Sequence, residues 1–281
     1  MSAPLGSIVI AAHDEETVIA RGLQHLAAVA EQGIVEVIVV CNGCQDGTAE
    51  RARGFAGVQV RELSVASKTA ALREGDRIAG PGPRIYLDAD VELTGQAAVA
   101  TLEALAGGVV AGRPPARFES AKAGRLVRRW YAVRARLPSI ATALWGAGCY
   151  GLSEEGRARF GEFPEVVADD LFIDSLFTDD EVGIVATDPV VVHTPREVAD
   201  LVRILRRSYR TQTPRRAATG GAVLSAGQRG QVKDLRALLR REPGRVLDVG
   251  VYVAVIALSR VCARLGPAPS WERDTSSRQP G

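Results

Sequence analysis

Apolar residues along the chain fall into short continuous runs and longer helical periods that alternate. Ser7–Ala12 is a β-branched apolar run bounded by polar residues and reads as a buried strand. Residues 14–32 follow with Val18, Ile19, Leu23, Leu26, Ala27 and Ala30 at helical spacing, and with Asp14, Glu15 and Glu16 in the first turn, where the helix dipole favours anions. Val35–Val40 is a second buried strand, broken by Asn42-Gly43 and Asp46-Gly47 before a helix over Thr48–Arg53. Val58–Leu63 reads as a more exposed strand, Ser67–Ala79 as a helix closed by Gly80-Pro81-Gly82-Pro83, and Arg84–Asp88 as a fourth strand. Further strands are predicted over Val109–Gly112, Ala147–Leu152 and Val182–Val192, and a basic helix over residues 199–210.

This rhythm predicts an α/β fold with a mostly parallel central sheet and helices on both faces. The tail differs. Gly220–Gly230 reads as a linker, Val232–Arg241 as a helix, and Thr275–Gly281 as disordered. Val246–Leu265 is the most apolar stretch, but Asp248 and Arg260 interrupt it, and the clean run Val249–Leu258 is about half a bilayer span. It is expected to be a helix docked on the protein or lying at a membrane interface. The division expected is a main domain over residues 1–215 and a C-terminal helical segment with a flexible tail over 216–281.

Bulk composition narrows the function classes little. With 46% hydrophobic and 24% charged residues, the 281-residue chain has the make-up of a globular protein able to bury a core. A formal charge of +2 gives no reason to expect a nucleic-acid partner. No secretory signal is apparent, so a cytoplasmic location and reduced thiols are the default. Cys41 and Cys44 form a C-x-x-C, which allows a redox or zinc site. No second ligand pair has the spacing for zinc, and the alternative is two small residues in a turn after a strand.

Four features carry candidate chemistry. Asp88-Ala89-Asp90 directly follows an apolar strand, whose end delivers both carboxylates to the sheet's carboxyl edge, where α/β folds bind ligands. Paired carboxylates hold a hard divalent cation, and the cation holds a diphosphate. Asp169-Asp170 either start a helix or supply a general base. His193, ending the run Val190–His193, either completes a metal site or is structural. Lys68 opens a helix, where it either meets a phosphate or is an ordinary surface lysine.

Taken in order, these segments resemble glycosyltransferase family 2, the inverting family on the GT-A fold, over roughly residues 7–212. VIAAHDEE at Val9–Glu16 is similar to the family's V-I-P-A-Y-N-E-E, and VVCNGCQDGT at Val39–Thr48 to its V-V-D-D-G-S-x-D-G-T. SKTAALREG at Ser67–Gly75 is similar to N-K-G-x-A-L-N-x-G, and LDAD at Leu87–Asp90 to its D-x-D. WGAGCYGLS at Trp145–Ser153 resembles the glycine-rich acceptor-side strand; Asp169-Asp170 replaces E-D, and RSYR at Arg207–Arg210 stands where many members have Q-x-x-R-W.

The resemblance implies a transferase of hexosyl type that moves a sugar from a nucleotide diphosphate sugar to an acceptor hydroxyl in one metal-assisted, inverting displacement. It places Glu15 and Asn42 on the nucleoside, and Lys68 and Asp88 on the nucleotide–ribose side. Asp90 would hold Mg2+ or Mn2+, with His193 as a further ligand. Asp170 would be the base, with Asp169 as the other candidate, and Gly148, Arg207 and Arg210 would face the acceptor or diphosphate.

Cys41-Asn42 departs from the acidic pair, so the nucleotide base is not implied. Thr211 stands where processive enzymes carry tryptophan, which argues against a long-chain polysaccharide synthase. The basic residues between Arg113 and Arg136 read either as a solvated helix face or as a phosphate-reading acceptor or membrane patch. The rival readings are a non-catalytic nucleotide-sugar-binding protein and a haloacid-dehalogenase-like phosphatase. The second has the wrong order, because Lys68 precedes Asp88. A sugar nucleotidyltransferase or Rossmann oxidoreductase lacks its glycine-rich phosphate loop.

Overall fold

The computed structural model describes residues 3–166, 168–218 and 226–265, with side chains outside 210–229. The chain forms two compact units, residues 1–117 with 144–192, and residues 118–143 with 193–281. In chain order the elements begin β1 (Ser7–Ala12), α1 (Ile19–Glu31), β2 (Glu36–Asn42), α2 (Thr48–Arg53), β3 (Val58–Leu63) and α3 (Lys68–Ile78). Then come β4 (Arg84–Asp88), β5 (Val91–Glu92), α4 (Gly95–Ala106), β6 (Ala111–Arg113), β7 (Ala116–Glu119), α5 (Arg125–Arg134) and α6 (Pro138–Ala141). The remainder is β8 (Cys149–Leu152), α7 (Glu154–Ala158), α8 (Asp169–Asp174), β9 (Val182–Ile184), β10 (Val190–His193), α9 (Val198–Ala218), α10 (Ala226–Arg241) and α11 (Val246–Leu265).

The first unit is built on a sheet of order β3-β2-β1-β4-β8-β6-β9. β3, β2, β1 and β4 run parallel, β8 runs antiparallel to β4 and to β6, and β9 is parallel to β6. A small second sheet has the order β5-β10-β7. The runs are apolar throughout because both faces of the central strands are covered, and alternate residues serve opposite faces. Ile8, Ile10, Val37, Val39, Ile85 and Leu87 pack with Leu23 and Leu26 of α1 and Leu102 of α4. Val9 and Tyr86 pack on the other side with Leu72 of α3 and Phe172 and Ile173 of α8, and Ile38 and Val40 pack there with Ala71. β3 is the exposed edge, as its mixed pattern predicts.

Three expectations need correction. The helix predicted from residue 14 starts at Ile19. Asp14 takes a left-handed φ of +49°, and the amides of Glu15 and Glu16 donate to Thr48 Oγ1 (2.7 Å) and Asp46 Oδ2 (3.1 Å) instead of entering a helix. The acidic triplet is therefore a loop tied to the β2–α2 connection. The predicted strand Val182–Val192 is two strands in different sheets: Val185 N still bonds Arg113 O, and Val190 N bonds Pro115 O only after the Asp188-Pro189 step. The basic stretch between Arg113 and Arg136 is not one solvated face. Arg113 is buried in β6, and Arg134 is buried with its guanidinium over the rings of Phe118 and Trp130.

In the second unit α11 packs on α9 and α5, and α10 packs on α6. Trp130 stacks on Tyr252 with centroids 5.2 Å apart. Residues 215 and 216, where a boundary was expected, lie within α9, and 226–230 of the expected linker are the first residues of α10. Residues 219–225 and the expected disordered end at Thr275–Gly281 lie outside the described residues.

Candidate active site

Because β1, β2 and β4 are parallel, their last residues share one edge of the sheet, and the chain reverses its winding between β1 and β4. Such a switch point opens a crevice at the carboxyl ends. Asp88 ends β4, and Asp90 follows in the turn. The segment after β3 returns along the same edge, where Ser67 caps α3 by accepting from Ala70 N, so Lys68 opens the helix beside β4. β8 enters antiparallel, with Cys149 opposite Leu87, which brings Gly148 onto Asp88. Gly148 sits at φ +62°, its carbonyl accepts from Asp88 N at 2.8 Å, and a Cβ there would lie 2.6 Å from Val91 Cγ2 and 3.1 Å from Asp88 Oδ2. Only glycine meets both demands.

Asp169 and Asp170 form the first turn of α8, whose cap is Ala168. Neither carboxylate is the N-cap, and they occupy different settings. Asp169, 3% exposed, receives Lys68 Nζ on Oδ1 at 2.8 Å and Tyr150 Oη on Oδ2 at 2.9 Å. Asp170 accepts from Gly146 N and Leu171 N, both at 2.8 Å. Lys68 Nζ also donates to Asp88 Oδ1 at 2.6 Å. Lys68, Asp88, Gly148, Tyr150, Asp169 and Asp170 line one cavity with Leu72, Tyr86 and Leu87.

The charges of this group are unequal. Burial works against the Lys68 ammonium, but Asp169 and Asp88 outweigh it and hold its pKa above the usual lysine range. Burial pushes the Asp170 carboxyl up to about 6, and the charge of Asp169 adds to the shift. Burial also raises Asp88, partly offset by Lys68, with Asp169 and Asp90 acting upward. One ammonium therefore does not neutralise the carboxylates gathered here. Surplus negative charge on oxygen donors has the chemistry that suits Mg2+ or Mn2+, although Asp90 is not among the residues that line the cavity and the three side chains that converge within 4.8 Å among the described residues are His13, Asp14 and Cys44.

The nucleoside candidates lie at the ends of β1 and β2. Asn42 is 1% exposed; its Nδ2 donates to Ala12 O at 2.8 Å, while its Oδ1 is buried with no hydrogen-bond partner among the described residues. Glu15 is buried in the adjoining loop. His193 ends β10 and falls in the second unit, as do Arg207 and Arg210 of α9; the side chain of Arg210 is outside the described residues. What is expected of these three rests on their place in the sequence.

Three residues or groups escaped the sequence reading. Tyr150 holds Asp169, yet a tyrosine in an apolar strand reads as core. Gly146 acts through a backbone N–H, which leaves no side-chain signal. His13, Asp14 and Cys44 bring one ligand atom each within 4.8 Å of one another, with His13 Nδ1 2.5 Å from Asn42 O. Cys44, the second cysteine of the C-x-x-C, thus meets a histidine and a carboxylate from another loop, and Cys41 is not part of the group. Burial pushes the Cys41 thiol up to about 12, and Cys44 beside it adds to the shift, the reverse of what a reactive redox thiol needs.

The glycosyl transferase family 2 model matches residues 7–151, more than half of the chain. None of the curated protein sequences matches. Among solved structures, the chain is similar to a mannosyltransferase from Pyrobaculum calidifontis in complex with GDP-Man and Mn2+, at 19% identity and TM-score 0.56, covering 96% of this chain and 78% of that one. It is similar to glucosyl-3-phosphoglycerate synthase from Mycobacterium tuberculosis in complex with Mn2+, UDP and glucosyl-3-phosphoglycerate, at 20% identity and TM-score 0.51, covering 74% of this chain and 78% of that one. TarS residues 1–349 from S. aureus, in complex with UDP, align at 11% identity and TM-score 0.50 over 96% of this chain and 94% of that one. At these identities the three structures speak for the GT-A fold alone. The family match spans β1 through β8 and takes in Asp88, Asp90 and Lys68, and the chain belongs to glycosyltransferase family 2.

Proposed function

We propose that the protein transfers a sugar from a nucleoside diphosphate sugar to an acceptor hydroxyl with inversion at the anomeric carbon, and that Asp170 is the general base. The division of labour within the aspartate pair carries this reading. Asp169 is held on both oxygens by Lys68 and Tyr150, which suits a positioning role. Asp170 lines the same cavity with a carboxyl near pH 6, and a base works best with its pKa close to the working pH.

Asn42 offers a buried Oδ1 to an N–H on the edge of the nucleobase, with its amide orientation fixed by Ala12 O. Glu15 stands on the same nucleoside side, and Asp88 and Lys68 on the ribose side. Asp90, with Asp88, would hold a divalent cation, which supplies positive charge against the diphosphate as it leaves. The two similar structures solved with Mn2+ and a nucleotide or nucleotide sugar support this cofactor and donor class. Asp170 takes the proton of the acceptor hydroxyl as its oxygen bonds to the anomeric carbon. The bond from that carbon to the diphosphate oxygen breaks, and its electron pair leaves with the nucleoside diphosphate. One displacement inverts the centre, so an α-linked donor gives a β-linked product.

The test is a panel of UDP-, GDP- and dTDP-sugars with Mn2+, Mg2+ or excess chelator, scoring released nucleoside diphosphate for wild type, Asp90→Ala and Asp170→Asn. Chelator-sensitive release from one donor, lost in both variants, is expected. An α-linked product from an α-linked donor would refute inversion, and full activity in Asp170→Asn would remove it as the base.

A further inference from the structure

We propose that the second unit docks on an anionic lipid surface, with α11 lying along the membrane plane. Two independent observations point there. The first is the shape of α11. Its buried residues, Val249, Tyr252, Val255 and Ser259, form one stripe against its neighbours in this unit. Val246, Leu247, Val253, Leu258, Val261 and Leu265 are instead 48% to 81% exposed. At about 100° per residue these six fall within an arc of about 140°, diametrically opposite the buried stripe. Arg264, exposed in the last turn, is the one charge within that arc, and its long stem lets the guanidinium reach out to headgroups; an exposed helix face otherwise this apolar marks an interaction surface.

The second observation is charge. The second unit carries 23 Lys and Arg against 8 Asp and Glu, a formal +15, while the first carries 12 against 25, a formal −13. The near-neutral total conceals this segregation. Lys122, Arg125 and Arg128 on and before α5, and Arg236, Arg240 and Arg241 on α10, are exposed. A strongly cationic body with an apolar helical face is complementary to anionic headgroups over acyl chains. It is poorly matched to a second copy of itself, because two such bodies repel.

The helix is apolar enough to cross a membrane by length and composition, but its contacts bind it to the unit. Asp248 pairs with Arg245 (3.1 Å) and Arg129 (3.5 Å), Tyr252 stacks on Trp130, and Arg260 lies over Tyr209 at 5.2 Å. Crossing would break these contacts and carry Asp248 into hydrocarbon, which is costly. A surface-lying helix keeps all of them.

The experiment is flotation of the full-length protein with vesicles of phosphatidylcholine alone or with about 30% phosphatidylglycerol, at low salt and at about 0.5 M NaCl. Wild type should bind the anionic vesicles, weaken in high salt, and come off in an alkaline carbonate wash. Leu247→Asp with Leu258→Asp, and separately Arg125→Glu with Arg128→Glu, should each reduce binding roughly tenfold or more. Far-UV circular dichroism checks that each variant folds, and the arginine pair, being exposed surface, keeps the test decisive if the leucine pair does not. No binding to anionic vesicles, equal binding to both vesicle types, retention through the carbonate wash, or a stable dimer dissolved by the leucine pair would overturn the proposal.

Discussion

As the proposed base, Asp170 must be ionised to accept a proton, so on this proposal its raised carboxyl sets the acid limb of the rate profile. With the pKa near 6, kcat/KM should climb with pH through about 6 and level off above it. Asp170→Asn should cut kcat by roughly 10²- to 10⁴-fold, the usual worth of a general base. Its effect on stability has the opposite sign. A carboxyl whose folded pKa lies above its unfolded value contributes stability only while protonated, and loses it as pH rises through the folded pKa. At pH 7 the ionised Asp170 is a burden on the fold, so the asparagine variant should melt no lower than wild type. Lys68→Met should do the reverse. It leaves the buried Asp169 and the half-exposed Asp88 without the cation they share, and because the partial exposure of Asp88 screens that side of the triad, the loss should be about 1–2 kcal/mol, below the penalty of a fully buried pair. Urea unfolding of the two variants side by side separates a catalytic carboxylate from a structural ion triad. A profile flat from about pH 5 to 8 in wild type would exclude Asp170 as the base, and an acid limb that persists in the residual activity of Asp170→Asn would assign it to another group, since histidine also titrates in this range.

At the scale of elements, the tightest constraint is the approach of β8 to β4. Gly148→Ala forces a left-handed residue and drives a Cβ to 2.6 Å from Val91 Cγ2. The expected cost is about 1–3 kcal/mol, together with a raised KM for the donor, because the same Cβ presses on Asp88. Full activity and unchanged urea midpoint would show that the strand can slide. This element also shows what the sequence could and could not disclose. β1 and β2 were legible because burial on both faces leaves uninterrupted β-branched runs, and Asp88-Ala89-Asp90 was legible because it directly follows the apolar core of β4. The start of α1 was not. Asp14, Glu15 and Glu16 have the composition of a first helical turn, and only the tertiary bonds to Thr48 and Asp46 reveal a loop. Nor could spacing separate Asp169 from Asp170. Their difference is made by Lys68, Tyr150 and Gly146, which reach them from other elements.

At the scale of the whole molecule, the charge partition was hidden for a simple reason. The cationic unit is assembled from residues 118–143 and 193–281, a formal +5 and +10, so the total of +2 conceals it and each basic stretch of sequence shows only its own share. A body at +15 pays a self-repulsion on folding that mobile anions relieve. Raising NaCl shortens the Debye length from about 30 Å at 0.01 M to about 8 Å at 0.15 M, which screens distant like charges more than close pairs such as Arg245–Asp248 at 3.1 Å. The stability of this unit should therefore rise over that salt range, and rise further with sulfate, whereas ordinary monovalent salt has little effect on the apolar contacts of Trp130 with Tyr252. Tryptophan fluorescence followed during heating reads the transition, because Trp130 is buried in this unit. Trp145 lies in the first unit and Trp271 outside the described residues, so a variant with both replaced by phenylalanine isolates the Trp130 signal. A midpoint that does not move with salt would mean that the arginines are already paired off, and it would weaken the electrostatic half of the membrane argument while leaving the apolar face of α11 to stand on its own.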